Sequence, residues 1–83
     1  MVQAHKRLRR FREGLGLSER AAAKAIGVAQ PSYRRWERKE AVPRDAYKKA
    51  IELWSGGKLP RTMWPLTPEE RRAAETLVRL ASD

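Results

Sequence analysis

Residues 17–43 read LSERAAAKAIGVAQPSYRRWERKEAVP, and two short helical patterns meet within them at Gly27-Val28. The first follows Ser18, a good helix N-cap. Ala21, Ala22, Ala23 and Ala25 make it slim enough for another helix to approach closely, with Ile26 as its larger anchor. Ala21, three positions after Ser18, denies it a full capping box, although Glu19 puts negative charge in the first turn, where the helix dipole favours it. Gly27 suits a tight turn, and Val28 plugs the angle between the two helices. The second pattern starts near Ala29 or Gln30. Pro31 is tolerated there because first-turn amides have no intrahelical partner. Tyr33 and Trp36, three apart, face inward, which leaves Gln30, Ser32, Arg34 and Arg35 outside. A generic helical hairpin uses the same pattern.

On the N-terminal side, Ala4, Leu8, Phe11 and Leu15 fall on one face of a basic helix that Gly14 and Gly16 end. Lys6, Arg7, Arg9, Arg10 and Arg12 cover most of its remainder, either as a solvated face or as a source of phosphate contacts. On the C-terminal side, Glu37 lies among cations, and its expected role is a structural ion pair with Arg12. Lys39 sits in a turn where it is either solvated or in reach of phosphate, and Pro43 closes the segment. A fourth helix is expected over residues 44–54, with Tyr47, Ala50, Ile51 and Trp54 on one stripe. That spacing favours core packing over base stacking. Ser55-Gly56-Gly57 stops it.

Residues 58–66, KLPRTMWPL, are too rich in proline for a regular element. Leu59, Met63 and Trp64 are expected either over the core or in a short extended dimer contact. Thr67, Pro68 and Glu70 then announce a fifth helix with a capping box. Ala73 or Ala74, Leu77, Leu80 and Ala81 give it an apolar side, adjoined by Val78, that either closes the core or pairs with its twin. The expectation is an all-α domain of about five helices. Its core comprises Leu8, Phe11, Ile26, Val28, Tyr33, Trp36, Tyr47, Ile51 and Trp54. Residues 1–66 form the body, and residues 67–83 carry the last helix, with Met63, Trp64, Leu77 and Leu80 as candidate dimer contacts.

The 83 residues carry 19 Lys and Arg against 10 Asp and Glu, a formal charge of +9. Residues 1–49 hold fourteen basic and five acidic side chains, and residues 50–83 hold five of each, so the whole excess lies beside the polar outer face. Such a distribution is the electrostatic footprint of a nucleic-acid surface, although RNA or anionic lipid would suit the charge alone. One domain is expected, too short for a separate sensor domain and without cysteine to staple it. No run of about 18 apolar residues suggests a membrane span. The basic N-terminus lacks the apolar centre of a signal peptide, so a cytoplasmic, nucleoid-associated location is expected. One histidine and no cysteine leave no metal cluster, no cofactor motif is present, and no nucleophile has an obvious base partner. An enzyme is not expected.

Gln can pair with adenine and Arg with guanine in the DNA major groove, which makes Gln30, Ser32, Arg34 and Arg35 candidate base readers. Arg9, Arg10 and Lys39 are the candidate phosphate contacts. Residues 8–43 resemble the Cro/repressor-type (XRE-like) helix-turn-helix family of bacteria and their phages. The likeness rests on Leu17-Ser18, Ala23, Gly27-Val28, Gln30, the run Tyr33-Arg34-Arg35-Trp36-Glu37, and Pro43. Residues 50–65, AIELWSGGKLPRTMWP, look like the small phage-derived Cro-like or YdaS-like branch, whose fourth helix ends in a Gly-Gly turn before a short basic extended segment. The resemblance implies a lambda-repressor-like domain that binds operator DNA, often as a symmetric dimer, to repress or activate transcription. It also implies Arg12 and Glu37 as a supporting ion pair. Three positions depart from the family's pattern. Glu19 stands where a phosphate-clamping glutamine is common, Lys39 where glycine is usual, and Ala29 where serine caps the third helix.

Two other readings stay open on the residues alone. One is a protein-interaction module binding RNA polymerase or another phage or host regulatory protein, motivated by Glu19. The other is a non-specific architectural DNA-binding protein, which predicts steep salt dependence without sequence preference.

Overall fold

A computed structural model describes residues 3–82; residues 1–2 and 83, at the outer ends of the two expected segments, lie outside the described residues. The chain forms α1 (Ala4–Gly14), α2 (Glu19–Ile26), α3 (Gln30–Glu37), α4 (Asp45–Trp54), a short 3-10 turn (Arg61–Met63) and α5 (Pro68–Ser82). Local chemistry sets the boundaries. The Ser18 hydroxyl accepts from the Ala21 amide at 3.0 Å and caps α2. Gly27 takes φ +91 at the other end, and the Val28 amide donates back to the Ala23 carbonyl at 2.9 Å, which turns the chain into α3.

Lys39 ends α3 in the same way. Its φ is +62, and the amide of Glu40 donates to the Arg35 carbonyl at 2.9 Å. The left-handed turn that usually falls to glycine is therefore kept, with a lysine held in a conformation that L side chains disfavour.

Leu8, Ala22, Ala23, Tyr33, Trp36, Ile51, Leu59 and Trp64 are buried together, and Phe11, Ile26, Val28, Trp54 and Met63 are half-buried against them. α2 packs on α3 and α4, and α1 packs on α3. Phe11 and Trp54 meet edge to face at 5.0 Å, an arrangement the ring quadrupoles favour. The Tyr33 hydroxyl and Trp64 Nε1 are buried without hydrogen-bond partners among the described residues.

Several expectations are corrected. Tyr47 is not a core residue: it is 37% exposed and rests against the edge of the core, 5.5 Å from the Trp36 ring. The inward stripe of α4 runs instead through Lys48, Ile51 and Ser55. Lys48 is 2% exposed, and its Nζ donates to the Pro65 carbonyl at 3.2 Å and to Glu70 at 2.7 Å. An aliphatic stem can line a core when its charged end finds partners. Leu15 is 53% exposed because α1 ends before it.

Trp64, a candidate dimer contact, is buried within its own chain at 6% exposure, and Met63 packs beside the core. The expected extended segment after α4 is a 3-10 turn with extended residues on either side. Polar anchors fold it back: the Leu59 amide donates to the Ser55 hydroxyl, the Arg61 amide to Glu52 and Arg7 to the Lys58 carbonyl.

α5 starts with reciprocal capping bonds, the Glu70 amide to the Thr67 hydroxyl at 3.1 Å and the Thr67 amide to Glu70 Oε1 at 3.0 Å. Beyond that first turn it does not cover the core. Leu77 and Leu80 are 67% and 66% exposed. The molecule measures 51 Å by 24 Å by 20 Å, and a 15-residue helix of about 22 Å projecting from the body accounts for the long axis.

Candidate nucleic-acid interface

The outer side of α3 is defined by what its inner side buries. With Tyr33 and Trp36 in the core, Ser32, Arg34 and Arg35 are exposed and Gln30 is half-exposed. Gln30, Arg34 and Arg35, with Pro31 and Glu40, line one shallow depression of about 370 Å³. Gln30 and Arg34 are one helical turn apart and share a face. Ser32 stands exposed outside that depression. Arg9, Arg10 and Lys39 are exposed but do not line it either. Lys39 borders a separate groove of about 440 Å³, mostly apolar, with His5, Trp36, Val42, Met63 and Trp64 among its lining residues. Burial and the charges of Lys39, Lys6 and Arg9 lower the affinity of His5 for a proton.

α3 is held against α1 by Arg12 and Glu37. Arg12 Nε donates to Glu37 Oε2 at 2.7 Å, Nη2 donates to Oε1 at 3.0 Å, and Nη1 donates to the Leu17 carbonyl at 2.9 Å. The Glu37 side chain is 2% exposed and that of Arg12 12%. The bond to Glu37 raises the Arg12 guanidinium above its ordinary value, against the opposing effect of burial. Burial, with Glu37 beside it, also pushes the Tyr33 hydroxyl up. Arg9 leans towards the same carboxylate, with Nε 3.9 Å from Glu37 and 3.5 Å from Glu13.

Two features of this surface, and one of the core, have weak sequence signals. Arg34 Nε donates to Glu19 Oε2 at 3.1 Å, joining the first residue of α2 to the middle of α3. An acid at the head of α2 beside a basic third helix is the one hint of it. Glu40 enters the α3 depression through the left-handed turn at Lys39, which no periodicity reveals. Lys48 follows the spacing of Ile51 and Ser55, but its charge hides it from a hydropathy pattern.

The α3 amino end carries no side-chain cap, since Ala29 offers none. Among the described residues no group of three His, Cys, Asp or Glu is placed to hold a metal ion, and no helix is long and apolar enough to cross a membrane. Residues 8–51 match the protein family described as helix-turn-helix. No curated protein and no solved structure matches the chain.

Proposed function

The chain belongs to the helix-turn-helix family, whose domains are typical of DNA-binding regulators, and from that premise we propose that it is a sequence-specific double-stranded DNA-binding transcriptional regulator of prokaryotic or phage type. α3 enters the major groove, with Gln30, Arg34 and Arg35 testing base edges and Ser32 at the flank. Arg9, Arg10 and Lys39 meet phosphates. The observation that carries the reading is the joint presence of Gln30, Arg34 and Arg35 in one exposed depression, on a helix whose other face is locked in the core.

The finer likeness to lambda-repressor-like domains, and to Cro-like or YdaS-like phage regulators, belongs to the same proposal. The Gly56-Gly57 turn after α4 supports it, with φ +63 and +88. Such a regulator acts in the cytoplasm at the nucleoid, as a homodimer on two half-sites about one helical turn apart. Leu77 and Leu80 of α5 are among the exposed apolar residues and serve for pairing.

Selection of bound duplexes from a random pool at near-physiological salt tests the reading. A recurrent two-fold motif is expected. Recovery of DNA with no motif at any position overturns sequence-specific reading.

A further inference from the structure

We infer that Glu19 is a positioning residue that presents Arg34 to a guanine; the inference rests on the DNA-reading function proposed above. Arg34 lines the α3 depression one turn beyond Gln30, and its side chain is 47% exposed. Its Nε is held at 3.1 Å by Glu19 Oε2, whose side chain is 24% exposed. A guanidinium carries five donors in a rigid plane. With Nε committed to the carboxylate, the end-on edge formed by Nη1 and Nη2 remains, and among the described residues no protein atom engages it. That edge is a planar pair of donors, the complement of guanine O6 and N7 in the major groove. Arg35 lines the same depression but has no carboxylate holding it among the described residues, so the assignment falls on Arg34.

Two physical consequences follow, and they have opposite signs. A long side chain loses rotamer freedom when it bonds a base, and a carboxylate that already restrains it removes part of that loss before DNA arrives. Glu19 therefore sharpens discrimination. The same carboxylate stands at the DNA-facing end of α2 and repels phosphate, so it weakens binding to every duplex regardless of sequence. A residue whose removal raises general affinity while erasing one base preference is acting by position. A merely electrostatic residue changes only the first.

The test uses the whole chain as wild type, Glu19→Ala, Glu19→Gln and Arg34→Ala. Each is put through random-pool selection, then titrated against the selected duplex, the same duplex with A·T at the guanine assigned to Arg34, and a random duplex. Both Glu19 variants remove the same charge and bind the random duplex more tightly than wild type. Only Glu19→Gln keeps an acceptor for Arg34 Nε. The wild type prefers guanine by about tenfold or more; Glu19→Gln keeps most of that preference, and Glu19→Ala and Arg34→Ala lose it.

Full guanine preference in Glu19→Ala overturns the inference and leaves DNA reading standing. A wild-type selection without any motif overturns both. The contact itself is read in the free wild-type chain by NMR, where slow solvent exchange of the Arg34 Nε proton is expected and fast exchange overturns the restraint even if the alanine variant fails to fold.

Discussion

Arg12 and Glu37, 25 positions apart, are joined by two parallel hydrogen bonds of 2.7 and 3.0 Å at a point where only 2% of the Glu37 side chain meets water. Planar fork meets planar carboxylate, and the third arginine donor ties the Leu17 carbonyl that precedes α2. One side chain thus sets α1, the entry to α2 and the end of α3 relative to one another.

Arg12→Ala is expected to cost about 3 kcal/mol in urea unfolding, because it strands a buried carboxylate. Replacing both partners by leucine recovers most of that loss. A single-variant loss below about 1 kcal/mol would show that Glu37 reaches solvent or another cation when Arg12 is gone.

Lys39→Gly separates backbone strain from DNA contact. Lysine at φ +62 is disfavoured and glycine is not, so the variant is expected to gain up to about 1 kcal/mol of stability. If Lys39 meets a phosphate, the same variant binds all sequences more weakly, and the salt dependence of binding falls by about one ion. A stability loss would contradict the strain at this turn.

Trp36 and Gln30 share α3 but face opposite ways. Trp36→Ala is expected to cost about 3–5 kcal/mol of folding stability, since the side chain is 4% exposed within the core. Gln30→Ala should melt close to wild type and cost about 1–3 kcal/mol at one base position in binding titrations. An unchanged site preference removes Gln30 from base reading.

Lys48 Nζ, 2.7 Å from Glu70, and the Thr67 amide hold the Glu70 carboxyl down at about 2, below its ordinary 4.5. A carboxyl depressed on folding stabilises the fold above its unfolded value. That contribution is therefore complete above about pH 4.5 and is lost as pH falls towards 2. Carboxyl NMR titration should find Glu70 well below 4.5, with the start of α5 fraying over the same interval. A Glu70 midpoint near 4.5 would mean that the tie to Lys48 does not hold in solution.

Much of the fold is legible in local pattern. Ser18 and Thr67 announce helix starts, Gly27 a left-handed end, and Tyr33 with Trp36 the inner face of α3, because capping and helical period act over a few residues. Periodicity misleads where a side chain has two natures. Tyr47 shares the spacing of Ile51 and Trp54 yet stays at the rim, while Lys48 buries its stem, because Pro65 and Glu70 receive its charge.

The helices, their caps, the basic first half and the buried positions of Leu8, Tyr33, Trp36 and Ile51 can be read along the chain, because they follow from near neighbours and from composition. That Trp64 belongs to its own chain's core, that α5 leaves its leucines exposed, and that Glu19 reaches Arg34 emerge from the packing of the helices alone. Contacts between helices depend on how packed surfaces rotate and cross, and residues 15 or 22 positions apart meet only after the core between them has set the angle.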